Sequence, residues 1–181
     1  MHTSIALLRG INVGGKNLLP MKELVRDLES LDLKAVRTHI QSGNIIFETA
    51  RKPSRALAGK IADAIEARHG FRPHVLVLGA DRLKALIELN PFPEAAREPK
   101  SLHVFFLAAA PVSPDTKSLA KIAARSERFH LADEAFYLHA PDGIGRSKLA
   151  ASVERLLGVA ATCRNWNTMT KLLEMAEASA R

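Results

Sequence analysis

The sequence predicts an α+β fold, a tandem duplication of ferredoxin-like (βαββαβ) units with an added C-terminal helix. Three observations predict it. Stretches with strand and helix periodicity follow one another as β-α-β-β-α-β within residues 1–79. The same order starts again about 97 residues further on, from Ser4 to Ser101, with little residue identity. Between the two runs lies a stretch with three prolines, Pro91, Pro93 and Pro99, which reads as a linker. The expected organisation is a first repeat over 1–79, a helix and Pro-rich linker over 80–100, a second repeat over 101–164 and a C-terminal helix over 165–181.

Residues 4–9 hold Ile5, Ala6, Leu7 and Leu8 in succession, the pattern of a central strand buried on both faces. Pro20 suits a first helical turn. Met21, Leu24, Val25, Leu28 and Leu31 then form one apolar helical stripe. Residues 35–41 alternate, with Val36, Thr38 and Ile40 on one face and Arg37, His39 and Gln41 on the other, as on a half-exposed edge strand. Ser42-Gly43 reads as a two-residue hairpin turn, and 44–48 return with Ile45, Ile46 and Phe47. Pro53 and Ser54 open a second helix carrying Leu57, Ile61 and Ile65, which Gly70 ends. Residues 74–78 form the next strand. The first and third strands are expected to be central, the second an edge.

Asp81 reads as the N-cap of a short helix over 81–89. In the second half, 102–107 is a strand, and Ser113 caps a helix with Pro114 in its first turn and Leu119, Ile122 and Ala123 inward. Residues 128–131 and 135–139 make a hairpin. A helix over 145–157 places Leu149, Val153, Leu156 and Leu157 inward and stops at Gly158, and 160–164 closes the sheet. Asn165 caps the last helix, whose stripe is Met169, Leu172, Leu173 and Ala176.

The composition narrows the function classes. The hydrophobic content of 47% and charged content of 25% are those of a globular protein. No apolar run approaches the roughly 18–20 residues that span a bilayer, and the N-terminus lacks the pattern of a secretion signal. The single cysteine, Cys163, excludes an internal disulfide framework and fits a reducing compartment, so a cytoplasmic location is expected. The net charge of +7 suits an anionic partner, although the basic residues are scattered rather than in blocks. An anionic small molecule or nucleic acid is therefore the expected partner, and a membrane is not. The seven histidines show no H-E-x-x-H or Cys/His spacing, so no metal site is expected. No catalytic set and no cofactor can be assigned from spacing.

The residues that invite a ligand are polar and glycine-rich. Arg9, Gly10, Asn12, Gly14, Gly15, Lys16 and Asn17 follow the first strand. Gly10 to Asn17 spell G-x-x-x-x-G-K-N, one residue away from the phosphate-binding loop G-x-x-x-x-G-K-[ST]. Glycines let backbone amides converge on an anion, and Lys16 adds a point charge. Asn17 replaces the hydroxyl that holds Mg²⁺ in that loop, and the helical stripe begins only near Pro20, so a nucleotide-hydrolysing loop is disfavoured. An anion-binding loop of another kind and a simple chain reversal stay open. Gln41, Ser42 and Asn44 lie at the hairpin tip, where a turn alone accounts for them. Arg146, Ser147 and Lys148 open a helix after Gly143 and Gly145, as an anion site or as capping and solvated surface. Trp166, in Arg164-Asn165-Trp166-Asn167-Thr168, reads as core, and Cys163 as a buried structural thiol.

At these residues the chain resembles the bacterial proteins of "domain of unknown function 1697". The resemblance rests on 6–17 (Ala-Leu-Leu-Arg-Gly-Ile-Asn-Val-Gly-Gly-Lys-Asn), Pro20-Met21, Arg37-Thr38, and 40–44 (Ile-Gln-Ser-Gly-Asn). It continues through Asn90-Pro91-Phe92, Gly145-Arg146-Ser147-Lys148, and Arg164 to Thr168 with Lys171-Leu172, nearly from end to end. It implies two ferredoxin-like repeats and supplies no function. Similar proteins often carry Tyr at the place of His39. Taken together, the motifs suggest that Arg9, Asn12, Lys16, Gln41, Asn44, Arg146, Lys148, Arg164 and Asn165 converge on one cleft between the repeats. The expected function is binding of a nucleotide, phosphate ester or nucleic-acid backbone. An enzyme using the same residues and a non-catalytic interaction protein are the alternatives.

Overall fold

The computed structural model describes residues 1–179 of the chain. Two compact units emerge, Met1–Ala85 with Lys171–Arg181, and Leu86–Thr170. Each holds a four-stranded antiparallel sheet with two helices packed on one face.

In the first unit the strands are β1 (His2–Arg9), β2 (Lys34–His39), β3 (Asn44–Thr49) and β4 (His74–Gly79), in the order β2-β3-β1-β4. As the apolar patterning anticipates, β1 and β3 are central and β2 is an edge. The helices are α1 (Met21–Glu29), α2 (Arg55–His69) and α3 (Ala80–Glu88). Ala6, Leu8, Ile45 and Phe47 on one sheet face pack against Leu24 and Leu28 of α1 and Leu57, Ile61 and Ile65 of α2. Ile5, Leu7 and Ile46, on the opposite face, are buried too. Ser54 caps α2 by accepting from the Leu57 amide, and Gly70 ends it with φ of 73°. The α1 and α2 helices are also joined by a carboxylate: Asp27, almost fully buried, pairs with Arg68 at 2.9 Å and with His69 at 2.7 Å.

The second unit repeats the plan. After a 3-10 helix over Pro93–Arg97 come β5 (Leu102–Leu107), α4 (Thr116–Ile122), β6 (Arg128–Leu131), β7 (Ala135–His139), α5 (Lys148–Leu157) and β8 (Ala161–Asn165). The sheet order β6-β7-β5-β8 is that of the first unit, with β5 and β7 in the places of β1 and β3. Phe105, Leu107, Phe136 and Leu138 pack against Leu119 of α4 and Leu149, Val153 and Leu157 of α5. On the other face the Tyr137 hydroxyl donates to the Leu86 carbonyl at 2.8 Å.

The last helix, α6 (Trp166–Ser179), buries Met169, Leu172 and Ala176. Asn165 caps it from the end of β8, its Oδ1 accepting from the Thr168 amide at 2.9 Å. Towards its C-terminal end, the Arg37 guanidinium of β2 donates to the Met175 carbonyl at 2.7 Å and to Ser179. The expected helix extended to residue 181; Ala180 and Arg181 lie outside the described residues.

Five local expectations are corrected. The hairpin after β2 is a four-residue loop over 40–43, not a two-residue turn, because His39 pairs with Asn44 and Ile40 leaves the strand with φ of +51°. The alternation of β2 also breaks at Ala35, φ +49°, where the register shifts between Lys34 and Arg37. Ile40 is consequently exposed, not on the face of Val36. Asp81 lies inside the first turn of α3, since the helix begins directly after β4. Asp115, not Ser113, caps α4, its Oδ1 accepting from the Ser118 amide at 2.9 Å. Finally, a short 3-10 helix over Ile144–Arg146 precedes α5, and Ser147 is the true cap, accepting from the Ala150 amide at 2.9 Å.

Candidate anion-binding loops

In the first unit the candidate residues gather at one end of the sheet, where β1 gives way to the glycine-rich loop and β2 turns into β3. The loop is a small hairpin. The Lys16 amide donates to the Val13 carbonyl and the Asn12 amide to the Asn17 carbonyl, both at 3.1 Å. Between them, Gly14 and Gly15 have φ of 59° and 73°, the pair of positive values that a type I′ turn requires and that side chains resist. The helix starts only at Met21. The loop therefore closes on itself, unlike a phosphate loop whose amides all face the ligand.

Asn12 is its hub. The carboxamide accepts from the Leu19 amide at 2.8 Å and donates to the carbonyls of Leu19 at 3.0 Å and Gln41 at 2.8 Å. It thereby ties the start of the loop, its end and the β2–β3 hairpin together. Asn17 donates to the Gly10 carbonyl at 2.8 Å, and the buried Asn44 donates to the His39 carbonyl and to Ser42 Oγ. Gly43 fits where nothing larger would: a Cβ there would lie 2.5 Å from Leu8 Cβ, and the Leu8 amide donates to the Gly43 carbonyl at 2.8 Å. The asparagines and Gly43 thus fix the loops, while Arg9, Lys16 and Gln41 are exposed at the surface. Lys16 makes no ion pair with any described residue.

In the second unit Arg146, Ser147 and Lys148 line an open cavity of about 420 Å³ together with Gly143, Glu127 and Asp142. Both carboxylates are engaged nearby. Glu127 accepts from the Ala124 amide at 2.8 Å and Asp142 from the Ser126 hydroxyl. Lys148 is the first residue of α5 and Arg146 lies just before its cap, whereas the first turn has no acid. That arrangement opposes the helix dipole, whose positive end favours anions. Arg164 and Asn165 on β8 do not line this cavity. The Arg164 guanidinium donates to the Cys163 carbonyl at 2.8 Å, and burial lowers its pKa to about 10. Burial likewise pushes the Cys163 thiol up to about 12, so this cysteine is no thiolate nucleophile at neutral pH. Trp166 is buried, as a packing residue would be.

The pairing of Asp27 with Arg68 and His69 was not anticipated. With Glu23 and Arg26 these residues line a further opening of about 380 Å³ in the first unit. The signal was present in the sequence: Asp27 falls between Leu24 and Leu28 within the apolar arc of α1, where an isolated carboxylate needs a partner. His103 is another buried polar group. Its Nδ1 has no hydrogen-bond partner among the described residues, and burial lowers its pKa. Among the described residues, no three or more His, Cys, Asp or Glu are grouped to hold a metal ion, and no helix is long and apolar enough to cross a membrane.

Fold and loops together define a duplicated ferredoxin-like α+β protein with glycine-bearing loops in each unit. The chain belongs to the family described as "Protein of unknown function (DUF1697)", whose model matches residues 1–137. The conserved bacterial protein SP0830 from Streptococcus pneumoniae has a similar structure, with a TM-score of 0.75 at 23% identity. The match covers 97% of this chain and 98% of that one, and it bears on the fold alone. No curated protein matches the chain.

Proposed function

We propose that this protein is a binding module for an anionic ligand: a nucleotide, a phosphate ester or a nucleic-acid backbone. The observation that carries the proposal is the opening of α5. Two cations, Arg146 and Lys148, stand at the positive end of a helix with no acid in its first turn, beside an open cavity. A helix start unliganded in this way is disfavoured by about 0.3–1 kcal/mol per cation. An anion seated there reverses the sign: it meets both cations and the first-turn amides, which have no intrahelical acceptor. Gly143 and Gly145 keep side chains away from the approach, and Ser147 holds the helix start in place.

The exposed Lys16 and Arg9 give the first unit a second basic surface. An enzyme built on either surface needs a general base. The one imidazole–carboxylate pair singled out above, His69–Asp27, lies between α1 and α2 and has its second carboxylate oxygen bound by Arg68. Binding without turnover is the simpler reading.

Thermal unfolding of the full chain at low ionic strength, with inorganic pyrophosphate and with ATP, tests the proposal. Binding at 100 times Kd adds about 2.7 kcal/mol to the native state. A rise in Tm that Arg146→Ala and Lys148→Ala each reduce supports the proposal. A rise that both variants leave intact, or none with any phosphate compound, refutes it.

A further inference from the structure

Three of the six large hydrophobic side chains that the described residues leave exposed cluster around Asn12. Each is the chain neighbour of a group that Asn12 organises: Val13 follows Asn12 itself, Leu18 precedes Leu19, and Ile40 precedes Gln41. They are 68%, 66% and 55% exposed. Ile40 is costly where it stands, because a β-branched residue with φ of +51° is strained and glycine or asparagine would fit better. Backbone strain of this kind clusters at ligand-contacting sites. The segments that carry these three side chains hold cations and no acids. Neither residues 1–22 nor residues 34–47 contain an Asp or Glu, and Arg9, at the end of β1, and Lys16, in the loop that follows, are exposed. Gln41 adds an exposed carboxamide that makes no side-chain hydrogen bond with a described residue.

We propose that this end of the first unit docks in the major groove of duplex DNA at A·T pairs, through Val13, Leu18 and Ile40 on thymine methyls, Gln41 on adenine, and Arg9 and Lys16 on phosphates. The proposal rests on the anion-binding reading and names the partner of the first unit. A small phosphate compound leaves three aliphatic side chains in water. A bilayer accepts the aliphatics but strips water from the Gln41 carboxamide without offering a partner. The DNA major groove meets every requirement: it admits a two-stranded β-ribbon, and an A·T pair presents a methyl group beside the N6/N7 edge that a glutamine reads. The net charge of +7 favours the same polyanion.

Fluorescence anisotropy of a labelled A·T-rich duplex at low salt is the test, using the full chain. The expected result is binding that Ile40→Asn and Gln41→Ala each weaken roughly tenfold, as loss of a base contact does. Lys16→Ala is expected to reduce the slope of log K against log salt by about one. Ile40→Asn should unfold no earlier than the parent, which separates lost contact from lost fold. Equal binding by parent and Ile40→Asn, or binding to phosphatidylserine vesicles but not to DNA, overturns the proposal. If DNA binding fails while the pyrophosphate shift persists, this inference falls and the anion-binding reading stands; if both fail, both fall.

Discussion

On the anion-binding reading, removing the two cations at the start of α5 should stabilise the protein and leave it without a response to phosphate. The double variant Arg146→Ala/Lys148→Ala removes two positive charges from the positive end of a ten-residue helix with no acid in its first turn. Relief of roughly 0.3–1 kcal/mol for each gives about 0.6–2 kcal/mol in total. For a chain of this length that corresponds to a rise in Tm of about 1–8 °C. The Ser147 cap is left intact, so the helix start keeps its hydrogen bond to the Ala150 amide. The assay is thermal unfolding by circular dichroism at low ionic strength, where dipole effects are least screened, with and without pyrophosphate. The reasoning predicts a higher Tm without ligand and no further rise with it. A variant that unfolds earlier by the equivalent of 1 kcal/mol or more would show that these side chains stabilise the native fold, and that the unfavourable electrostatics inferred here are absent.

Three further outcomes follow from the geometry. Gly43→Ala places a methyl 2.5 Å from Leu8 Cβ at φ of 73°, so it should cost about 2–4 kcal/mol, read as a lowered urea midpoint with little change in slope. Burial lowers the His103 pKa below its ordinary 6.5, so the unfolded chain takes up a proton first as pH falls, and stability is lost below about pH 6.5. His103→Leu should flatten that acid limb in urea titrations at a series of pH values. The Cys163 thiol, held up to about 12 from 9.0, should resist a thiol reagent at pH 8 in the native protein and react on unfolding. Its linkage has the opposite sign: above pH 9 the unfolded chain loses the proton first, so stability falls by about 1.4 kcal/mol per pH unit. Above about pH 10 the depressed Arg164 pKa offsets part of that loss.

The fold was legible because its determinants are periodic and local. Apolar runs placed the central strands of both units, 128–131 reads as half of a hairpin and 160–164 as a closing strand, and Gly70 and Gly158 marked helix ends that the backbone realises with φ of 73° and 69°. What escaped depends on single dihedrals. Val36, Thr38 and Ile40 share a parity, but Ala35 and Ile40 take left-handed conformations, so the β2 alternation misplaces Ile40 and hides the four-residue loop. Capping was blurred for a related reason. Ser113, Asp115, Gly145 and Ser147 are all competent near a helix start, and only hydrogen-bond geometry selects Asp115 and Ser147. At the loops the sequence located the polar residues but not their division of labour. Asn12, Asn17 and Asn44 hold backbone carbonyls, leaving Arg9, Lys16 and Gln41 facing solvent. The Asp27–His69 contact spans 42 positions, and no local pattern names its partner.

The most direct test of the anion-binding account is a ¹⁵N–¹H correlation spectrum of the full chain titrated with inorganic pyrophosphate at low ionic strength. The account predicts saturable shifts at the amides of Ser147, Lys148 and Leu149 and at Gly143 across the same cavity. Spectra in which these resonances stay fixed to the highest concentration, while the protein remains folded, would contradict it.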